Sequence, residues 1–211
     1  PSEGISSDAL TAASSSVLKI TGTAFQCGQN QTGSGFVVAE DRVITNAHVV
    51  AGVSEPVVQV PGGGVLPGRV VHFDPARDLA VIAVENLDAT PLALGTELPA
   101  GTTAAFAGYP AGGPFRLQPA VVQNLGDVSV RSIYGTSPGI LEVYTLAANV
   151  QQGNSGGPLL DIDGQVAGVV FAKTTGDQPI GYALSLAELG PIADAAPDYR
   201  SAVSPGECIS E

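Results

Sequence analysis

The sequence predicts an all-β fold of the sandwich or barrel type, with a short helix near each end. Two observations support this prediction. Short runs of aliphatic residues, dominated by valine, repeat along the chain, and Gly, Pro, Asn and Asp separate them at intervals of roughly ten residues. The 211 residues also include 27 Gly and 16 Pro, which favour the many turns that connect short strands.

The predicted elements fall into two groups of strands. Residues 5–16 have modest helical character, with the acidic Asp8 near their start. The first group of strands covers residues 17–24, 35–40, 42–46, 56–60, 68–73 and 79–84. The second group covers residues 102–109, 115–125, 127–134, 140–146, 158–161, 165–172 and 180–185, and a helix over 186–196 precedes a polar tail. Because a turn-rich stretch over 88–101 separates the groups, two similar β units with a seam between them are the simplest arrangement, and one large sandwich is the alternative.

The charge of the chain limits its partners. Eight Lys and Arg stand against twenty Asp and Glu, which gives a formal net charge of −12. Such a surface repels phosphate backbones and anionic lipid headgroups, so nucleic acids are not expected as partners. The uncharged runs are interrupted by Pro, Gly, Asn and Gln, so none of them is expected to cross a bilayer. Since the chain contains no Met, we expect it to be a mature or excised part of a longer protein.

The two cysteines, Cys27 and Cys208, stand too far apart for a CxxC redox or zinc motif. Each lies beside turn-forming residues, in QCGQN and PGECIS, where loops are expected and burial is poor. This favours a disulfide between Cys27 and Cys208, and with it an oxidising, extracytoplasmic compartment. Two unrelated buried thiols are the alternative.

Ser155 lies in a glycine-rich turn that runs directly into a strand, in the sequence QGNSGGPLL. Its neighbours Gly153, Gly156 and Gly157 permit backbone angles that other residues avoid. A turn of this kind can point the Ser155 hydroxyl outward while the N–H groups of Gly153 and Ser155 converge on one spot as an oxyanion hole. The alternative is a plain turn in which the serine only solvates the loop.

Two further residues could complete a catalytic site with Ser155. His48 follows a predicted strand in TNAHVV, and Asp78 precedes a strongly apolar strand in RDLAVIAV. A serine nucleophile needs a base with a pKa near neutrality, and that base needs a carboxylate to orient it. Taken singly, His48 would be a packed histidine and Asp78 a turn residue. His72, within a predicted strand, is interpreted as a structural or surface residue, and Asp74 is an alternative orienting acid.

In the order His, Asp, Ser, the motifs TNAHVV, DLAV and GNSGGPL resemble those of the trypsin-like serine peptidases, and specifically their HtrA/DegP branch. The segment GSGFVVAEDRVITNAHVV (33–50) resembles that branch throughout, and the similarity extends over residues 32–185. Proteins of this branch usually carry a PDZ domain after the peptidase, and no such domain is expected in this sequence. Together with the cysteine pair and the helical start, this makes the chain resemble the periplasmic domain of a membrane-anchored, acid-resistance protease within the branch.

The resemblance implies two six-stranded antiparallel β-barrels, with the active site in the seam between them. The implied division is an N-terminal helical extension, a first barrel, a second barrel, and a C-terminal helix and tail, over 1–16, 17–96, 97–185 and 186–211. His48 becomes the general base and Ser155 the nucleophile, with the N–H groups of Gly153 and Ser155 as the oxyanion hole. Asp78 is selected over Asp74 as the orienting acid, because in this pattern the acid directly precedes a Leu-Ala pair.

The resemblance also implies a specificity pocket. Asn149, six residues before Ser155, falls where trypsin-like enzymes have the residue at the base of the pocket. The wall would come from residues 169–174, including Val170 and Ala172, which implies a modest and mostly apolar pocket. We therefore expect cleavage after uncharged residues of medium size.

These observations predict an extracytoplasmic serine endopeptidase that cleaves protein or peptide substrates through an acyl-enzyme, in the response to acid stress. No cofactor is expected, and two histidines without clustered carboxylates predict no metal site. We expect this part of the protein to be monomeric and outside the membrane, and the full-length protein to be anchored N-terminally in the inner membrane. The alternatives are a non-catalytic pseudopeptidase that binds proteins, and a chaperone-like module with an exposed apolar patch.

Overall fold

The computed structural model describes residues 7–173 and 178–209, with the backbone alone at 172 and 173. The helices within these residues are α1 (Asp8–Ser14), α2 (Ala47–Val50) and α3 (Leu186–Ala195). The strands of the first half are β1 (Val17–Ala24), β2 (Gln29–Ala39), β3 (Arg42–Thr45), β4 (Val57–Gln59), β5 (Val65–Pro67), β6 (Arg69–Asp74) and β7 (Leu79–Ala83). Those of the second half are β8 (Thr103–Gly108), β9 (Arg116–Val130), β10 (Gly139–Ala147), β11 (Pro158–Leu160), β12 (Val166–Lys173) and β13 (Ile180–Ser185).

The first seven strands form one antiparallel sheet in the order β5-β4-β1-β2-β3-β7-β6. Its two edge strands, β5 and β6, are consecutive in the chain and are joined by Gly68 alone. A Cβ at Gly68 would lie 2.5 Å from Cγ2 of Ile82 in β7, so the bend needs a residue without a side chain. One bent segment therefore lines both edges, and the sheet curls into a half-barrel. With this segment counted as a single strand, the half-barrel has the six strands that the sequence predicted.

The last six strands form a closed antiparallel barrel in the order β10-β13-β12-β11-β8-β9. Strand β9 pairs with both β8 and β10, which joins the two ends of the sheet and closes it. Phe106, Tyr144 and Leu159 are among the side chains buried in its interior. The Tyr144 hydroxyl accepts the N–H of Leu98 at 3.0 Å, which satisfies the polar end of this buried ring.

A second apolar cluster joins the half-barrel to the closed barrel, and β7 contributes to it directly. Leu79, Val81 and Ala83 point into this joint cluster, whereas Ala80 and Ile82 point into the interior of the half-barrel. Strand β7 is therefore buried on both faces. This explains why its sequence, LAVIA, is a continuous apolar run rather than an alternating one.

Helices α1 and α3 cover the joint cluster, and each is preceded by a serine that caps its N-terminus. Leu10 of α1 and Leu189 of α3 are buried in the cluster. The Ser7 hydroxyl accepts the N–H of Leu10, and the Ser185 hydroxyl accepts that of Ala187. None of the helices within the described ranges has the length and apolar character needed to span a bilayer. The all-β fold with a short helix near each end is confirmed, and the predicted boundary between residues 96 and 97 stays a prediction.

The C-terminal tail returns across the half-barrel and ends beside α2. The carbonyl of Pro205 accepts the N–H of Gly52, two residues after α2, at 3.0 Å. Cys208 is bonded to Cys27, with Cα atoms 6.3 Å apart and a separation of 181 positions along the sequence. The structure thus contains the predicted disulfide, and the disulfide fastens the tail to the hairpin between β1 and β2.

Loss of this disulfide is expected to lower the free energy of unfolding by at most about 5 kcal/mol, because the bond restricts a very long loop of the unfolded chain. For a protein of this size, that corresponds to a fall of roughly 10–20 °C in Tm. We expect the double variant Cys27→Ser/Cys208→Ser to show this fall in thermal unfolding. Activity at the site predicted around His48 should also fall, because the tail holds Gly52 at the end of α2, the helix that carries His48.

The control for this experiment is the wild-type protein with and without a reductant. The reductant should lower the Tm of the wild type toward that of the double variant and leave the variant unchanged. An unaltered wild-type Tm after complete reduction, verified by thiol titration, would contradict a stabilising role for the bond.

Candidate active site

His48 and Asp78 are brought together by the pairing of β3 with β7. Thr45, the last residue of β3, pairs with Ala80, so His48 in α2 follows one strand where Asp78 precedes the other. The Asp78 carboxylate contacts His48 twice: Oδ2 lies 2.6 Å from Nδ1, and Oδ1 accepts the backbone N–H at 2.8 Å. Asn46 donates its Nδ2 to the Asp78 carbonyl at 2.8 Å. Both ends of the Asp78 residue are therefore held by the segment that carries His48.

The contact with Asp78 determines the protonation of the His48 ring. Burial of the imidazole disfavours its charged form, but the charge of the Asp78 carboxylate and the hydrogen bond to it favour that form, and the net effect raises the pKa of His48 above 6.5. In the neutral ring, Nδ1 beside the carboxylate keeps its proton, which leaves Nε2 as the basic nitrogen. Asp78 itself has a φ of 57°, a left-handed conformation that a non-glycine residue adopts only when its surroundings enforce it.

Asp74 and His72 occupy different surroundings. Asp74 accepts the backbone N–H of Arg77 at 3.0 Å and its Nη1 at 3.1 Å, so its carboxylate is engaged by this arginine and not by His48. The ring of His72 is stacked on Tyr199 with centroids 4.4 Å apart. Burial is the main cause that lowers the pKa of His72 below 6.5. The structure therefore brings Asp78, rather than Asp74, to the histidine that the sequence singled out.

Ser155 lies in a turn whose glycines are required by close backbone contacts. At Gly153, where φ is 97°, a Cβ would lie 2.4 Å from the carbonyl oxygen of Tyr109. At Gly156, where φ is 90°, it would lie 2.0 Å from the carbonyl oxygen of Ser34. Because side chains clash at both positions and both conformations favour glycine, the turn is packed against its neighbours rather than solvated on all sides.

Strand β2 lies between the Ser155 turn and α2. Ser34 donates its N–H to the Ser155 carbonyl at 2.8 Å and its hydroxyl to the Gly153 carbonyl at 2.7 Å. A Cβ on the preceding Gly33 would lie 2.6 Å from Val49, the residue after His48, and 3.2 Å from the Ser155 carbonyl oxygen. This strand therefore holds the turn beside the histidine. Among the described residues, no hydrogen bond joins His48 Nε2 to the Ser155 hydroxyl, a contact that often tightens only when substrate binds.

The positioning roles of Gly33 and Ser34 were missed in the sequence, although GSGF contains a signal for them. Glycines inside a strand mark a place where another backbone approaches closely. Ser34 is fully buried, and its hydroxyl also accepts the N–H of Tyr109 at 3.0 Å. A serine between two glycines within a predicted strand can therefore indicate a residue that supports a neighbouring loop.

A family model for the trypsin-like peptidase domain matches residues 33–169, which is more than half of the chain and includes His48, Asp78 and Ser155. This chain belongs to the trypsin-like peptidase family. Serine protease Rv3671c of Mycobacterium tuberculosis is 40% identical over 210 residues, which cover 98% of this chain and 52% of the relative. Mitochondrial serine protease HTRA2 of Bos taurus is 34% identical over 150 residues, which cover 68% of this chain and 32% of the relative. The trypsin-like domain described here thus spans about half the length of Rv3671c.

Solved structures match the trypsin-like domain over nearly its whole length. The crystal structure of the active form of the Rv3671c protease superposes with a TM-score of 0.93 at 38% identity, over 98% of this chain and 91% of that chain. The inactive form superposes with a TM-score of 0.79 at 37% identity, over 90% of this chain and 93% of that chain. The predicted trypsin-like fold is therefore confirmed, and the backbone of this domain is more similar to the active form than to the inactive form.

The residues predicted to form the specificity pocket lie in unlike surroundings within the trypsin-like domain. Asn149 is exposed, between the buried Ala148 and Val150. The Val170 side chain is buried in the barrel interior, and its backbone binds the Ser155 turn: its carbonyl accepts the N–H of Gly156 at 2.8 Å, and its N–H donates to the Gly157 carbonyl at 2.9 Å. The side chain of Ala172 lies outside the described residues. The pocket composed of Asn149, Val170 and Ala172 stays a prediction.

The described residues of the trypsin-like domain contain no candidate metal site. Across residues 7–173 and 178–209, no three or more His, Cys, Asp or Glu side chains form a group that could hold a metal ion. The candidate site therefore consists of the histidine–aspartate pair, the serine turn and the backbone amides around it.

Proposed function

We propose that this chain is a serine endopeptidase in which Ser155, His48 and Asp78 form the catalytic triad. The observation that supports this most directly is the Asp78 carboxylate, whose two oxygen atoms both contact His48. A carboxylate that only ended a turn would leave the imidazole free to adopt either tautomer, whereas this one selects the tautomer with a basic Nε2. Membership of the trypsin-like family, with relatives named as serine proteases, supports the same assignment.

In the proposed reaction, His48 Nε2 removes the proton of the Ser155 hydroxyl while Oγ attacks the carbonyl carbon of the scissile peptide bond. The negative charge that develops on the carbonyl oxygen is stabilised by the N–H groups of Gly153 and Ser155. His48 then gives its proton to the leaving amine, which departs as the acyl-enzyme forms. A water molecule, activated by the same nitrogen, hydrolyses the acyl-enzyme and restores the Ser155 hydroxyl. Throughout, Asp78 holds the ring in place and stabilises its positive charge.

Labelling with a fluorophosphonate tests this proposal against a pseudopeptidase that only binds proteins. This reagent reacts with a serine only when the serine is activated by a neighbouring base, so we expect one modified peptide, with the label on Ser155. A His48→Ala variant should not be labelled, and heat-unfolded protein is the negative control. An unlabelled native protein, or a label at another serine, would contradict the proposed function.

We further propose that the protein acts outside the cytoplasm and contributes to resistance to acid stress. The Cys27–Cys208 disulfide supports an oxidising compartment, in which such bonds form and persist. The acid-stress role and an N-terminal anchor in the inner membrane rest on the resemblance drawn from the sequence, and so does the monomeric state. Trapping the thiols of the protein in intact cells tests the compartment, since a reduced pair of cysteines would argue against it.

Activity is expected to fall as the pH drops through the raised pKa of His48. Only the neutral imidazole can accept the Ser155 proton, and its pKa lies above 6.5, so the acid limb of kcat/KM should have its midpoint above that value. Measuring kcat/KM between about pH 5 and 9 tests this expectation. Because the chain has two histidines, a His72→Gln variant is the matched control and should retain the limb. A flat or acid-rising profile would contradict the role of His48 as a general base.

A further inference from the structure

A short turn between β8 and β9 presses against the segment that precedes Ser155. The turn spans Pro110–Gly112, and its central residue, Ala111, has φ 57° and ψ 21°, a left-handed conformation that is uncommon for alanine. Its side chain is exposed, so packing of the methyl group does not explain the conformation. The turn that contains this left-handed residue does, however, point the Ala111 backbone N–H toward Gln152.

The Ala111 N–H donates a hydrogen bond to the carbonyl oxygen of Gln152 at 2.5 Å. Gln152 and Gly153 share one peptide bond, and no peptide bond described in this chain is cis. In a trans peptide the carbonyl and the N–H point in opposite directions. The bond from Ala111 therefore turns the Gln152 carbonyl toward the β8–β9 turn and the Gly153 N–H away from it.

The Gly153 N–H that results from this orientation has no acceptor within the described part of the protein. Neither that group nor the N–H of Ser155 donates a hydrogen bond to another described residue. The opposite orientation of the same peptide would point the Gln152 carbonyl where the Gly153 N–H now points. An oxygen there would repel the negative charge of a tetrahedral intermediate instead of stabilising it.

We propose that Ala111 is a positioning residue whose backbone N–H holds the Gln152–Gly153 peptide in the orientation that forms the oxyanion hole. This inference rests on the proposed function, because it concerns the amides assigned to that hole. Ala111 does not touch the substrate; it acts through the peptide bond between Gln152 and Gly153.

Strand β1 of the half-barrel holds the turn in place through two hydrogen bonds. Lys19 donates its Nζ to the Gly112 carbonyl at 2.5 Å, and the Tyr109 hydroxyl donates to the Val17 carbonyl at 2.9 Å. Both hydrogen bonds join this turn of the closed barrel to β1 of the half-barrel. The orientation of the Gly153 amide is therefore coupled to the packing of the two units against each other.

Exchange of the Ala111 amide for an ester, with lactic acid in place of alanine, removes this single N–H and keeps the side chain. We expect kcat to fall at least about tenfold, toward the 10²–10³-fold that loss of one oxyanion donor causes, with KM nearly unchanged. Affinity for a peptidyl trifluoromethyl ketone, whose adduct carries the same oxyanion, should fall in parallel with kcat/KM.

Two matched controls distinguish the effect of losing the Ala111 N–H from other effects of the chemical change. Ala111→Gly keeps the N–H and accepts the left-handed conformation more readily, so it should retain wild-type kcat. The same ester exchange at Ala202, an exposed residue of the tail whose N–H donates to no described residue, should also leave kcat unchanged.

A spectroscopic measurement tests the positioning role without relying on turnover. In ¹⁵N-labelled protein, the Gly153 amide resonance should shift and broaden in the Ala111 ester and stay in place in the Ala202 ester. Unchanged kcat together with an unchanged Gly153 resonance would overturn the inference, and so would a loss expressed only as a higher KM. Failure of fluorophosphonate labelling at Ser155 would instead refute the proposed function, and the Gly153 resonance would still decide whether Ala111 orients the peptide.

Discussion

Replacement of Ser155 by alanine is expected to lower kcat by about 10⁶-fold, since removal of a serine nucleophile eliminates the acyl-enzyme route altogether. The residual rate would come from substrate binding and the amides of Gly153 and residue 155, which the substitution leaves in place. The fold should be retained, because the turn is held by the Ser155 backbone carbonyl and by the glycines at 153 and 156, not by the hydroxyl. Burst and steady-state kinetics with a chromogenic peptide ester measure kcat, and thermal unfolding shows whether the fold is retained.

The matched control for Ser155→Ala is Ser201→Ala, an exposed serine of the tail that takes no part in the site. It should keep wild-type kcat and Tm. A Ser155→Ala protein that retains more than about a thousandth of the wild-type rate, after active contaminants are excluded by inhibitor titration, would mean that another group is the nucleophile.

Asp78→Asn is expected to lower kcat by roughly 10⁴-fold, and the contacts of the carboxylate explain why. Both Asp78 oxygen atoms receive hydrogen from His48, one from the backbone N–H and one from Nδ1. Asparagine has a single side-chain oxygen, so its NH₂ group must face one of these two donors. If the amide oxygen stays with the backbone N–H, the NH₂ group faces Nδ1 and favours the tautomer that protonates Nε2. The base would then carry its proton on the wrong nitrogen.

Asp74→Asn is the control for this substitution, and we expect it to be nearly neutral. The Asp74 carboxylate is paired with Arg77, whose side chain is half exposed, so loss of its charge removes a surface ion pair of little energetic weight. Measurement of kcat/KM for both variants on one substrate, with Tm as a check of folding, compares the two acids directly. If Asp74→Asn proves the more damaging of the two, Asp78 is not the orienting carboxylate.

The Asp78→Asn variant also tests the cause of the raised pKa of His48. With the carboxylate charge removed, burial of the imidazole is the main remaining influence, and it disfavours protonation. The acid limb of the residual activity should therefore move to lower pH. The Asp74→Asn control should leave the midpoint of the limb close to that of the wild type.

The sequence by itself determined the fold class and the residues of the candidate triad. Valine-rich runs between Gly, Pro, Asn and Asp predict strands and turns because these preferences act between neighbours in the chain. The same holds for the glycines around Ser155 and for the strands beside His48 and Asp78. Each of these motifs is confined to fewer than ten consecutive residues, so the chain order alone displays them.

The tertiary structure alone decided how these short motifs meet. Nothing adjacent to Asp78 indicates that both of its oxygen atoms engage His48; that follows from the register of β3 against β7. Nor does the sequence show that Gly68 lets one segment line both edges of a sheet. Asn149 could be placed by its distance from Ser155 along the chain, but its exposure depends on the path of the backbone after β10.

The support of the segment that carries the proposed oxyanion amides is the clearest case of a feature that only the folded chain reveals. Ala111 and Gln152 are 41 positions apart, and Ser34 lies 119 positions from Gly153, so no local pattern connects them. Their contacts arise because the half-barrel and the closed barrel bury a shared apolar cluster and thereby press β2 and the β8–β9 turn against the Ser155 segment. Residue preferences along the chain determined which turns form, and burial of apolar surface between distant strands determined which of those turns touch.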